Sequence, residues 1–210
     1  MILNYLIGDE VVINMVKNAT VKGVGIIGNK YPITINKVMV KEYDLWKSML
    51  LRCYSKKHQE KHHAYVGCVV SENFKYYEFF YEWCQNQVGF KDGFHLDKDL
   101  LVKGNKVYSE DTCVFLPREI NNVLTSRNSL RGKYLLGVCF HKCSGKFIAQ
   151  INLNGIKRKH LGTFNTEIEA FNAYKQAKES YLKELANKWK GKIDERAYNA
   201  LMNYEVEITD

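Results

Sequence analysis

Two aspartates flanking a single lysine, Asp97 and Asp99, stand in the segment FHLDKDLLVKGNKVYSEDTCVFLPREINN (94–122), and a carboxamide, Asn121, comes near its end. Carboxylate and amide oxygens are hard donors of the kind that hold Mg2+ or Mn2+, and such an ion stabilises the charge that builds on a phosphodiester during hydrolysis. The chemistry this set would serve is metal-dependent cleavage of DNA. Asp97 and Asn121 would be the metal ligands, Asp99 would orient the segment and Asn105 would fix its turn. No organic cofactor is implied. The attacking water needs a base, and three candidates are open: His95, Asp97 itself, or hydroxide on the ion. A carboxylate with a pKa of about 4 is a weak base at about pH 7 unless its surroundings raise that pKa, so slow cutting or nicking is expected.

For these residues to meet, two short strands must pair around the polar Gly104-Asn105 turn and a helix beginning near Pro117 must pack across them. Strand alternation would put His95, Asp97 and Asp99 on one face. The Leu96-Asp97-Lys98-Asp99 strand, the Gly104-Asn105 turn, the Tyr108-Ser109-Glu110-Asp111-Thr112-Cys113 segment and the Pro117–Asn122 helix together resemble the HNH (ββα-metal) endonucleases, in a phage-type subgroup. That family has a His as general base at the end of the first strand, and here Asp97 holds the aligned position. The resemblance implies a phage-encoded endonuclease of the homing type.

Charge points to the same partner from elsewhere in the chain. Residues 131–192 hold 13 Lys or Arg against 4 Asp or Glu, a net of +9, while the remainder holds 18 against 19. A local excess of this size is the electrostatic footprint of phosphate binding, although a solvated lysine-rich helix contributes to it as well. From Tyr134 the chain reads as three short β-forming segments separated by Cys-Ser-Gly and Asn-Gly turns, the pattern of an antiparallel three-stranded sheet. Thr166 and Glu169 then form a capping box. Ile168, Phe171, Tyr174, Ala177 and Tyr181 recur at helical spacing, so one helix should lie across the sheet.

Gly137-Val138, Gly145-Lys146-Phe147 with Ala149, Leu161-Gly162-Thr163-Phe164, Thr166, Glu169-Ala170 and Ala173-Tyr174 make residues 131–185 similar to an Apetala2/ERF DNA-binding domain. In that family the sheet enters the major groove, whose edge pattern distinguishes all base pairs. By position, the resemblance implies a groove-facing set of Cys139, His141, Gln150, Asn152, Arg158 and His160. Gln150 and Asn152 suit adenine and Arg158 suits guanine or phosphate. Lys142, Lys146, Lys157 and Lys159 suit phosphate, and Arg131 in the basic linker suits the DNA backbone. Several of these positions are Arg or Trp in the plant proteins, so a different target sequence is implied.

Upstream, Tyr43–Tyr54 and Phe74–Val88 have helical periodicity, the second after the capping candidates Ser71 and Asn73. Trp46, Tyr65, Phe80 and Trp83 are assigned to the core. His58, His62 and His63 fall in a polar, lysine-rich loop. The first 40 residues alternate Val and Ile between glycines, with a turn expected at Asn29-Lys30, which reads as a small β subdomain. Cys53, Cys68, Cys84, Cys113, Cys139 and Cys143 form no CxxC pair and are expected to be buried thiols rather than disulfides or a zinc site. The amino terminus lacks a basic region ahead of its apolar stretch, and no apolar run reaches membrane-spanning length, so a cytoplasmic location and no membrane association are expected.

The fold class is α+β: a β subdomain at 1–40, an HNH-like ββα unit at 41–125, a linker at 126–133, the Apetala2/ERF-like domain at 134–190, and a C-terminal helix and tail at 191–210. The partner is double-stranded DNA and a monomer is favoured. The alternative is a DNA-binding protein that keeps the HNH scaffold without cutting, as a regulator or a factor against host defences. In that case Asp97 and Asp99 pair with Lys98, Lys103 or Arg118 and hold the fold.

Overall fold

A computed structural model describes residues 2–7, 11–16, 19–125, 133–153 and 156–209, without the side chains of residues 1–18, 156 and 157. The architecture is α+β. The chain divides into two compact units, residues 1–115 and 116–210.

The first unit opens with small sheets. Strands β1 (Ile2–Ile7), β2 (Val11–Val16), β5 (Thr34–Ile35) and β6 (Val38–Met39) form one antiparallel sheet in that order, and β3 (Ala19–Val21) pairs with β4 (Gly25–Ile27) in a separate hairpin. The chain bends at Asn29-Lys30, where a turn was expected, and a two-residue hairpin turn joins β5 and β6. There Asn36 and Lys37 take φ of 51° and 65°, the left-handed pair that a two-residue hairpin requires.

Helix α1 (Lys41–Tyr54) presents Trp46, Met49 and Leu50 to the core, all fully buried. Gly25 lets the hairpin lie directly on that helix, because a Cβ there would stand 2.3 Å from Leu50 and 2.7 Å from Trp46. The expected second helix is shorter than its periodicity suggests. Phe74 is buried but sits in a 3-10 turn, Asn73–Lys75, and α3 runs only from Tyr77 to Gln85. Glu110 is the reason: it accepts from the Ser71 hydroxyl at 2.9 Å and from Asn73, while Ser71 Oγ accepts the Phe74 N–H at 3.3 Å. These bonds hold the chain in a turn where a continuous helix would need it straight. Tyr77, Phe80, Trp83 and Cys84 complete the aromatic core with Phe115. The lysine-rich segment expected as a loop contains helix α2 (Lys56–Lys61) and a 3-10 turn at His63–Tyr65.

Around the acidic segment, β8 (His95–Asp97) pairs with β10 (Val114–Leu116), whereas β9 (Val107–Tyr108) lies parallel to β7 (Val69–Val70). The two segments flanking the Gly104-Asn105 turn therefore do not pair with each other, contrary to expectation.

In the second unit, α4 (Arg118–Leu124) precedes a three-stranded antiparallel sheet of β11 (Val138–His141), β12 (Lys146–Leu153) and β13 (Ile156–Phe164). Helix α5 (Glu167–Lys188) crosses the sheet, and α6 (Glu195–Met202) packs on α5. The expected capping box is present: Thr166 Oγ1 accepts the Glu169 N–H at 3.2 Å and Glu169 returns the bond to Thr166 N–H at 3.1 Å. The helix buries Ala170, Phe171, Tyr174 and Leu182. Ile168, expected on the packed face, is 51% exposed.

All four cysteines of the first unit are buried, but Cys139 is half-buried and Cys143 exposed, which corrects the expectation of six buried thiols. Burial pushes the Cys53 thiol up to about 12, so it is inert at neutral pH. No described helix is long and apolar enough to cross a membrane.

Candidate nucleic-acid interface

The acidic segment is built as a closed loop. Asp97 ends β8, and its Oδ1 accepts two main-chain N–H groups, from Leu100 at 2.8 Å and Asp99 at 3.0 Å, so the carboxylate shapes the turn that follows. Asp99 is therefore in that turn and not on the strand face with His95 and Asp97. Lys98, 5% exposed, ion-pairs with Asp99 and donates to the Asn105 carbonyl at 2.6 Å. Asn105 holds the other side. Its amide donates to the carbonyls of Lys98 (2.8 Å) and Val107 (2.6 Å), and its oxygen accepts the Val107 N–H at 2.9 Å. Every polar atom of the Asn105 side chain is thus used within the loop, which fits the turn-fixing role. The loop closes on itself between residues 98 and 105, which is why no hairpin ladder forms there.

Burial raises the pKa of Asp97 above the ordinary carboxylate range, against the pull of its bonds from Leu100 and Asp99. Its Oδ2 has no hydrogen-bond partner among the described residues. His95 is exposed at the start of β8. Asn121 lies in the middle of α4 in the second unit, its carbonyl accepting from the Thr125 hydroxyl at 2.8 Å. Among the described residues no group of three or more His, Cys, Asp or Glu side chains is arranged to hold a metal ion. A magnesium-type ion needs less, since it keeps several waters and uses one or two carboxylates. The free oxygen of Asp97 fits that requirement.

The sheet supplies the other candidate surface. One of its faces is covered by α5: Val138, Ala149, Ile151, Leu153 and Leu161 belong to the packed interior there. Alternation sends Cys139 and His141 of β11, and Lys146, Ile148, Gln150 and Asn152 of β12, to the opposite face. Cross-strand register then places Cys139 beside Ile148, His141 beside Lys146, Ile148 beside Thr163 and Gln150 beside His160. Three strands at about 4.8 Å spacing span roughly 10 Å, comparable with a major groove about 12 Å wide. The imidazoles are oriented by neighbours, His141 Nδ1 lying 2.9 Å from Ser144 Oγ and His160 Nε2 3.3 Å from Thr163 Oγ1.

Two irregularities in β13 decide which side chains share this face. The register shifts between Ala149 and Gln150, leaving Leu161 as the extra residue, so that His160 and Thr163 face the same way although an odd number of positions separates them. It shifts again between Ile151 and Leu153, where Arg158 takes φ 51°. That conformation costs a residue with a Cβ roughly 1–2 kcal/mol. Asn152 Oδ1 accepts the Arg158 N–H at 2.8 Å and holds the bulge. Lys159, expected beside the DNA backbone, instead stands opposite Ile151. With Leu153, Leu161, Ala177 and Tyr181 it lines a cleft of about 170 Å³ on the helix side. Lys159 alternates with its neighbour His160, so it takes the helix side while His160 takes the opposite face.

Thr163, Ile148 and Ser144 were not anticipated as members of this surface. Gly162 inside a strand was the available signal, because an isolated strand glycine marks a bulge. Lys142 and Lys146 are exposed at the β11–β12 end. Arg131, the rest of the linker up to residue 132, the Asn154-Gly155 turn and the side chain of Lys157 lie outside the described residues.

No protein-family model, curated protein or solved structure matches the chain.

Proposed function

We propose that this protein binds double-stranded DNA and discriminates sequence with the exposed face of β11, β12 and β13. One observation carries the reading. His141, Lys146, Gln150 and His160 lie together on a solvent-exposed sheet face whose reverse is backed by α5, within a segment of net charge +9. Gln150 offers a paired donor and acceptor to an adenine edge, Lys146 and Lys142 offer phosphate contacts, and the two histidines offer ring nitrogens to base or phosphate oxygens. Fluorescence titration of labelled duplexes over a salt series tests this. The reading requires affinity that falls steeply with salt, with log K losing about 0.9 per phosphate contact for each decade. Salt-independent or absent binding contradicts it.

A second reading, slow metal-dependent nicking of that DNA, is favoured by Asp97. The turn after β8 needs only an oxygen acceptor at this position, which asparagine would supply without the cost of burying a charge. A half-buried carboxylate with a raised pKa and a free oxygen is the kind of group that functional sites keep. A bound Mg2+ or Mn2+ would supply charge stabilisation to the phosphodiester. Asp97 would ligate the ion or, with its pKa raised, accept a proton from the attacking water. Supercoiled DNA incubated with Mg2+, Mn2+ or EDTA separates the two readings. Nicking that needs the ion and disappears in Asp97→Asn supports an endonuclease, and retarded but intact DNA leaves a binder on a silent HNH-like scaffold.

A further inference from the structure

Asn152 and Arg158 are both exposed, and either would ordinarily be counted as an independent base contact. The geometry couples them. Asn152 uses its Oδ1 to accept the Arg158 N–H at 2.8 Å, across a bulge in which the pairing steps from Ile151↔Lys159 to Leu153↔Ile156. Asn152 therefore faces two residues of β13 where regular pairing would give it one. Among the described residues of the second unit, Arg158 is the only non-glycine residue with positive φ. A left-handed, side-chain-bearing residue persists where its surroundings hold it, and such sites cluster where a side chain must be aimed. Here the side chain aimed is a guanidinium, whose fork matches the O6 and N7 acceptors of guanine.

Resting on the DNA-binding reading above, we propose that Arg158 is a specificity-determining residue and that Asn152 is its positioning residue. Asn152 acts through its acceptor oxygen, and the base-pair preference that depends on it is Arg158's. The alternative roles make different chemical demands. Direct recognition of adenine by Asn152 needs both its amide donor and its oxygen, because adenine presents a donor and an acceptor side by side. Holding the bulge needs the oxygen alone. Asn152→Asp keeps the acceptor and removes the donor, so it separates the two.

The experiment is selection from a randomised duplex library with the full chain, comparing the wild type with Arg158→Ala, Asn152→Ala and Asn152→Asp. The proposal expects Arg158→Ala and Asn152→Ala to relax the same base pair, each by roughly 10- to 100-fold, with no further relaxation in the double variant. Asn152→Asp should keep the wild-type preference at that base pair while affinity for every duplex falls, since it adds a negative charge beside DNA. A purely architectural Asn152 would alter the melting temperature and leave the selected sequence unchanged, which would overturn the proposal. Relaxation by Asn152→Ala at a different base pair from Arg158→Ala, or loss of that preference in Asn152→Asp, would also overturn it and make Asn152 a base reader in its own right. A wild-type protein that enriches no duplex contradicts the DNA-binding reading itself, and this is seen before any variant is compared.

Discussion

Lys98 and Asn105 are cross-bonded: the Lys98 ammonium donates to the Asn105 carbonyl at 2.6 Å, and the Asn105 amide donates to the Lys98 carbonyl at 2.8 Å. With Lys98 buried, this pair closes the loop that carries Asp97 and Asp99. Removing the Asn105 side chain deprives the Val107 N–H and the Lys98 carbonyl of their partner, while the Val107 carbonyl keeps only the Thr112 hydroxyl. Asn105→Ala should destabilise the first unit by about 2–3 kcal/mol, read as a lower urea midpoint. An unchanged midpoint would mean that water replaces all three bonds.

Asp97 predicts an unusual pH response. Burial raises its pKa in the folded state, so between the ordinary value of 3.8 and that raised value the native protein binds more protons than the unfolded chain. Stability then falls as pH rises through this window, and the cost is fully present above it. Asp97→Asn keeps the acceptor for Asp99 and Leu100 and carries no charge. Its melting temperature should equal or exceed that of the wild type at pH 7, with the difference vanishing below about pH 4. A variant less stable than wild type at neutral pH would show that the charge itself supports the turn.

Glu119 behaves in the opposite sense. Burial pushes its pKa up, but hydrogen bonds from Lys188 and Trp189 outweigh this and hold the carboxyl below 4.5. Its contribution is present above the unfolded-state pKa and is lost as pH falls through the folded-state value. Glu119→Gln should cost the second unit about 1 kcal/mol at pH 7, a modest figure because the Lys188 ammonium is exposed, and nothing at low pH. Thermal melts at both pH values check this.

Gly137 takes φ 76°, and a Cβ there would lie 2.0 Å from the Tyr174 ring. Gly137→Ala must therefore shift the helix–sheet packing as well as adopt an unfavourable backbone conformation. A loss of about 2–4 kcal/mol is expected in calorimetry.

Where local pattern decides structure, the sequence was readable. Thr166 and Glu169 marked the start of α5, and Trp46, Phe80 and Trp83 proved to be core. What was hidden depended on bonds between distant residues. Glu110 breaks the Phe74–Val88 periodicity from more than thirty positions away, and the Lys98 to Asn105 bonds replace an expected hairpin. In β13, strict alternation from His160 omits Thr163, because a bulge at Leu161 that only cross-strand register reveals changes the parity of the strand.

Matched loss of charge shows whether the exposed face of β11, β12 and β13 binds DNA. Lys142→Ala with Lys146→Ala removes two positive charges from the sheet end. Lys183→Ala with Lys192→Ala removes two from exposed positions on and beyond α5. Duplex affinity across a salt series is measured for both pairs and for the wild type. DNA binding by this face requires that the sheet pair weaken affinity and lower the slope of log K against log salt by up to about 1.8, while the helix pair leaves both near wild type. Equal losses from the two pairs, or a greater loss from the helix pair, would contradict it.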